Sequence, residues 1–344
     1  MKLIRTEDAV GHVLCHDITQ IIRGVTKDAV FRKGHVVTEE DIPILLSVGK
    51  EHLYVWEKDE TMLHEDEAAR VLYEVSDGGN MHPTAPKEGK IELIADMDGL
   101  LKINRPLLRK INSFGQMMIA CRHGDTPVKQ GDKVAGTRVI PLVIEKEKME
   151  AVRKIAGEDK VFHILPYQLK TAGIIATGSE VKKGLIKDTF TPVVIDKLKE
   201  YGIETKEIDR PGDDNELITK RILEMADAGL DLIFCTGGMS VDPDDKTPLA
   251  IKNSGARIVT YGAPVLPGAM FLLSYLEREG RVIPVLGLPG CVMYAGRTIF
   301  DLMLPRIAAG DPITAEEIAG LGEGGLCLNC SVCSWPACGF GKGH

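Results

Sequence analysis

Between Thr171 and Cys235 the chain alternates two hydrophobic periodicities, and this alternation restricts the fold more than any other feature. Gly173 to Ala176, Ile203 to Ile208 and Asp231 to Cys235 are short apolar runs of strand length, while Thr191 to Tyr201 and Asn215 to Ala228 read as helices. Val194, Leu198 and Tyr201 recur at helical spacing, as do Ile218, Ile222 and Met225, so each helix has one face to bury. Alternating strand and helix implies a parallel sheet covered by helices, and ligands of such folds collect beyond the carboxyl ends of the strands.

Three loops fall at such ends. Ala176-Thr177-Gly178-Ser179-Glu180 closes one apolar run, Thr236-Gly237-Gly238-Met239-Ser240-Val241-Asp242-Pro243-Asp244-Asp245 a second, and Gly287-Leu288-Pro289-Gly290 a third. Glycines there allow the backbone to approach a ligand, and the following carboxylates suit a divalent cation or a positioned water beside a phosphate. The plainer reading is that the glycines only make tight turns. Further on, Thr247 to Ser254 suggests a short helix, Arg257 to Tyr261 a strand, Met270 to Leu276 and Val282 to Leu286 neighbouring strands, and Val292 to Ile307 a closing helix.

Together, the runs at 176–181, 236–245 and 287–290 resemble the molybdopterin-binding domain of molybdenum-cofactor biosynthesis proteins. The nearest branch looks like the molybdopterin molybdenumtransferases, and the similarity covers roughly residues 170 to 310. The resemblance implies a three-layer αβα domain that binds molybdopterin or its adenylylated form and inserts molybdate with release of AMP. Carried onto this chain, it makes Thr177, Gly178, Ser179, Glu180, Gly237, Gly238, Ser240, Thr247, Pro289 and Gly290 the ligand-binding residues. Asp245 and Asp244 become the catalytic acids, with magnesium held by Glu180, Asp188 and Asp245. A homodimer and molybdoenzyme apoproteins as partners are implied too.

Two other functions stay open. Asp244-Asp245 followed by Thr247 also resembles the competence-damage proteins, which share the domain and hydrolyse dinucleotide pyrophosphates, and a non-catalytic molybdopterin carrier or sensor needs only the domain. This chain departs from the insertion enzymes in having Leu266 before Pro267-Gly268, where they usually carry a basic residue, and Cys291-Val292 after the Gly-Leu-Pro-Gly loop. Asp188 precedes a helix and doubles as a cap candidate, as do Asp209, Asp213 and Asp214.

The rest of the chain reads as a small α+β module at 1–60, a β-rich module at 61–165 and, beyond the 166–312 domain, a separately removable tail at 313–344. Residues 31 to 56 resemble a segment that precedes the domain in insertion enzymes. The net charge of −8 argues against a nucleic-acid binder. The start lacks an apolar signal core, and Val282 to Gly296 is broken by Pro284 and Pro289, so a cytoplasmic protein without membrane spans is expected. In the tail, Cys327, Cys330, Cys333 and Cys338 offer four thiolates for a tetrahedral zinc or an iron–sulfur cluster, their rhythm resembling bacterial ferredoxin spacing.

Overall fold

A computed structural model describes residues 2–22, 26–55, 59–185, 187–240 and 246–343. The chain divides into two compact units: Met1–Asp96, Ile103–Arg122 and Gln130–His163 form the first, and Met97–Lys102, His123–Lys129 and Ile164–His344 the second. Two short segments of the expected 61–165 module therefore belong with the following domain.

In the first unit the strand pairs Lys2–Arg5 with His52–Val55 and Ile18–Ile22 with Thr26–Phe31 flank a small core of Leu14, Ile18, Val37, Leu45 and Leu53. The helix expected after Thr38 is Asp41–Ser47, and Asp41 accepts from the Thr38 N–H at 2.8 Å. A four-stranded antiparallel sheet follows, ordered Met81–Pro83, Lys90–Ala95, Lys133–Val139, Met117–Cys121. The β-rich expectation missed three helices here: Glu65–Ser76, Arg105–Asn112 and Lys146–Ala156. Their apolar stripes are short and interrupted by charge. The first starts at a capping box in which His64 takes the N-cap position usually held by a hydroxyl or carboxylate.

The second unit has the expected three layers. Its six-stranded sheet is ordered Glu204–Asp209, Thr171–Ala176, Leu232–Thr236, Arg281–Leu288, Leu272–Arg278, Arg257–Tyr261. The first four strands run parallel and the last two pairings are antiparallel. Alternation along the strands supplies a core on each face. Ala172, Ile174, Leu232, Phe234 and Leu286 pack with Val194, Leu198, Phe300 and Leu304 of the Phe190–Lys199 and Ile299–Ala308 helices. On the other face, Ile175, Ile233, Cys235 and Val285 pack with Ile218, Ile222, Met225, Ala250 and Ile251 of Asn215–Asp227 and Thr247–Asn253.

The closing helix is shorter than Val292 to Ile307. A 3₁₀ turn at Gly290–Met293 precedes it, and the α-helix begins only at Ile299, behind a capping box in which Thr298 and Asp301 satisfy each other's backbone N–H groups. Asp301 is buried and also receives Lys197 at 2.5 Å and Arg297 at 2.8 Å. The segments 97–102 and 123–129 are held to this unit by charge. Lys102 bridges Asp125 and Asp311 at 2.6 and 2.9 Å, and buried Arg306 pairs with Asp311 and Glu317.

The tail is part of this unit's packing and is not an independent appendage. Leu266 and Leu326 form a parallel bridge, the Cys327 N–H donates to Leu266 O at 2.8 Å, and Phe340 is 5% exposed within the Phe300 core. Gly341, at φ +74°, sits where a Cβ would lie 2.5 Å from Leu302 Cδ2. Among the described residues no helix is long and apolar enough to cross a membrane.

Phe340→Ala is expected to destabilise the protein by about 3–5 kcal/mol, the usual cost of emptying a phenylalanine-sized core site. Chemical denaturation of the full chain measures this; an unchanged midpoint would return the tail to the status of an appendage.

Candidate functional site

The register of the parallel strands builds the site. Ala176 is opposite Thr236, and Thr236 is opposite Leu288. Three adjacent strands therefore end level, and the loops after them emerge side by side at one edge of the sheet. Two buried threonines hold the first two loops together. The Thr177 N–H donates to Thr236 O at 2.8 Å, and its hydroxyl lies 3.0 Å from Thr236 O and 3.2 Å from Thr247 Oγ1. Thr247 in turn donates to Gly237 O at 2.9 Å.

This clamp explains the glycine pair. Gly237 and Gly238 adopt φ of +87° and +55°, where side chains are strained. A Cβ on Gly237 would lie 2.9 Å from Thr177 O, and one on Gly238 would lie 2.7 Å from Thr247 Oγ1. The pair is thus required by the fold's own packing, whatever else it contacts. Gly290 differs: nothing lies within 4 Å of the position a Cβ would take, and it opens the 3₁₀ turn after Pro289. Its freedom from internal contacts leaves room beside the crevice.

Around this edge, Met239 packs under the loop so closely that a Cβ on Gly287 would meet its Sδ at 2.5 Å. The Tyr261 hydroxyl donates to Met239 O at 2.8 Å. Sequence reasoning had no signal for that contact, because Tyr261 arrives on an antiparallel strand from outside the three-loop pattern. Lys182 donates to Pro211 O at 2.6 Å, which docks the loop after Gly178 onto the loop after the Glu204–Asp209 strand.

The acids divide by employment. Asp188 has both oxygens engaged: Oδ1 accepts the Thr191 N–H at 2.9 Å, and Oδ2 takes the Thr191 hydroxyl and Arg210 at 2.7 and 2.9 Å. Burial alone would raise its pKa, but the Thr191 hydrogen bonds and Arg210 together hold it below the usual aspartate value. This geometry is that of a helix cap with an ion pair. Asp214 caps the Asn215–Asp227 helix through the Glu216 and Leu217 N–H groups, and Asp209 pairs with Arg221 at 2.8 Å. Asp244 and Asp245 lie outside the described residues, as do the side chains of Ser179 and Glu180. Ser240 is exposed at the end of the second loop.

Neither nearby thiol is poised for reaction. Cys235 is fully buried and its pKa is pushed up to about 12 by desolvation, and burial also raises that of Cys291. Cys291 is half-buried at the start of the 3₁₀ turn. Among the described residues no three His, Cys, Asp or Glu side chains are gathered as ligands of a single ion. Of the four tail cysteines expected to hold zinc or an iron–sulfur cluster, Cys330 and Cys333 are exposed while Cys327 and Cys338 pack against the core.

Residues 173–309 match the family model described as a probable molybdopterin binding domain, and residues 3–57 match one described as a domain of unknown function. The molybdopterin molybdenumtransferase of Synechococcus elongatus is 25% identical over 211 residues, which make up 58% of this chain and 48% of that protein. A CinA-like protein of Mycobacterium avium is 40% identical over 94 residues, 27% of this chain and 22% of its own. The chain thus spans less than half the length of these curated relatives. The structure of the tungsten cofactor synthesizing protein MoaB from Pyrococcus furiosus aligns with 42% of this chain and 89% of its own, at 18% identity and a TM-score of 0.32.

Gly238→Ala is expected to lose about 1–2 kcal/mol from its backbone conformation alone, before any clash with Thr247, whereas Gly290→Ala should stay within about 0.5 kcal/mol of wild type. Thermal unfolding of the two variants distinguishes them; equal losses would refute the distinction between a packed and an open glycine. The stability difference between wild type and Asp188→Asn is expected to be constant above the ordinary aspartate pKa of about 3.9 and to vanish on further acidification. The sign follows from a folded pKa below the unfolded one, and denaturant titrations at a series of pH values read it.

Proposed function

We propose, from the premise that residues 173–309 are a domain of the molybdopterin-binding family, that this chain binds molybdopterin or its adenylylated form and inserts molybdate with release of AMP. The observation that carries the reading is the level ending of three parallel strands at Ala176, Thr236 and Leu288, with the three glycine loops beyond them. Such loops present backbone N–H groups, which bind phosphates without needing net basic charge, in keeping with a chain of net charge −8.

In this reading Gly178, Gly237, Gly238 and Gly290 lie along the ligand, with Thr177, Ser179, Glu180, Ser240, Thr247 and Pro289 beside them. Asp245, with Asp244, activates the water that cleaves the phosphoanhydride, so AMP departs as molybdate joins the dithiolene. Magnesium, a hard cation, is held by Glu180 and Asp245. Asp188 contributes through helix capping, since its oxygens are already employed. The protein acts in the cytoplasm as a homodimer and hands its product to molybdoenzyme apoproteins, while the tail cysteines bind a metal centre.

A second reading, cleavage of a dinucleotide pyrophosphate, is favoured by the 40% identity to a CinA-like protein over 94 residues. Both use the same crevice and differ in product. A non-catalytic carrier would use it without turnover.

Incubating the anaerobically purified protein with adenylylated molybdopterin, magnesium and molybdate separates the three. Molybdate-dependent AMP release is the expected result. Nucleotide cleavage that ignores molybdate would replace insertion by pyrophosphatase activity, and saturable binding without AMP would leave a carrier. Asp245→Ala should abolish turnover and keep binding, and Gly290→Ala should weaken binding roughly ten-fold at unchanged stability, a loss of about 1.4 kcal/mol in binding.

A further inference from the structure

The four tail cysteines, although not collapsed onto one point, line a single cavity of about 410 Å³ together with Arg297 and Trp335. A zinc ion bound to four thiolates at about 2.3 Å draws the sulfurs to roughly 3.8 Å from one another and leaves no cavity at all. The observed space is more than ten times the roughly 30 Å³ that one water occupies in the liquid. Four thiols spread around one cavity suit a centre larger than a single ion.

The walls fit an anionic, sulfur-rich occupant. Arg297 shares the cavity lining with Cys333 and lies 4.6 Å over the Trp335 ring, and Lys342 is within electrostatic reach of Cys338. Trp335 Nε1 is buried with no acceptor among the described residues, although a buried indole N–H ordinarily finds one. An inorganic or cysteinyl sulfur would supply it.

The pocket is also built. Gly324, at φ +78°, brings its backbone so near the last turn that a Cβ would lie 2.9 Å from Gly339 O, and the Gly341 N–H donates to Gly324 O at 2.9 Å. Cys327 is fixed by its N–H bond to Leu266 O, and Phe340 anchors the far side in the core. These contacts fix both ends of the cysteine loop to the core.

We infer that Cys327, Cys330, Cys333 and Cys338 hold a [4Fe–4S] cluster, with Trp335 and Arg297 hydrogen-bonding its sulfurs and Arg297 and Lys342 balancing its charge. This rests on the reading of the tail as a metal centre and specifies which one. A pre-formed cluster enters by ligand exchange: each cysteine thiol passes its proton to a departing thiolate, four Fe–S bonds break as four form, and no electron is transferred. The site also adjoins the proposed ligand crevice along the chain. Gly296 and Arg297, which line the cavity, follow shortly after the Gly290–Met293 turn, Gly296 O accepting from Lys197 and Arg297 pairing with Asp301.

The test is anaerobic transfer of a thiolate-ligated [4Fe–4S] cluster to the full-length protein, followed by iron and acid-labile sulfide analysis and low-temperature EPR after reduction. The expected result is iron and sulfide in equal amounts, about four of each per chain. Cys338→Ala and the exposed-site variant Cys330→Ser should fall to background while Cys121→Ala, in the other unit, retains the cluster. Circular dichroism checks that the variants remain folded. Arg297→Gln should retain the cluster but lose it to a chelator roughly ten-fold faster. Two irons per chain, or zinc with four sulfur neighbours and no labile sulfide, would overturn the cluster while leaving the tail a metal centre. Failure to bind either iron–sulfur or zinc would overturn both.

Discussion

The level ending of three parallel strands is the constraint on which the candidate site depends. Parallel pairing admits no slippage here, because a one-residue shift would exchange the residues facing the two helical layers. Phe234 and Leu286 face one core, and Cys235 and Val285 face the other. Once those faces are buried, Ala176, Thr236 and Leu288 align, and the loops beyond them start side by side. The Thr177–Thr247–Gly237 hydrogen bonds then secure the middle loop against its neighbour.

Asp301 performs a comparable task at the start of the Ile299–Ala308 helix. It is 3% exposed and receives Lys197, Arg297 and the Thr298 N–H. A buried carboxylate is tolerable only when paired and hydrogen-bonded, and this one spends its interactions on three different pieces of chain. It sets the start of the Ile299–Ala308 helix, the end of the loop that begins at Gly290, and the arginine that covers Trp335. A helix cap thereby reaches the lining of the cysteine pocket through Arg297.

Much of the second unit was legible in its sequence. The Val194, Leu198, Tyr201 and Ile218, Ile222, Met225 stripes identified the helices, and the apolar runs between them identified the strands, because both faces of a parallel sheet are buried and its strands are uniformly apolar. The first unit was less legible. Its helices are short and highly charged, and a capping histidine such as His64 resembles an ordinary turn residue in a linear reading. The 97–102 and 123–129 segments joined the second unit through Lys102, Asp125 and Asp311, ion pairs whose partners lie up to 209 positions apart in the chain.

By itself, the sequence determined the alternation, the three-loop motif and the density of thiols in the tail, since each is a local pattern of residue types and spacing. Tertiary structure alone decided how those groups are used. It engaged Asp188 with Thr191 and Arg210, made Gly237 and Gly238 obligatory while leaving Gly290 open, and folded the tail around Phe340 so that four cysteines line one cavity. The reason is physical: whether a carboxylate is free, a glycine needed or a thiol accessible depends on neighbours distant in the chain, and only packing brings those neighbours into range.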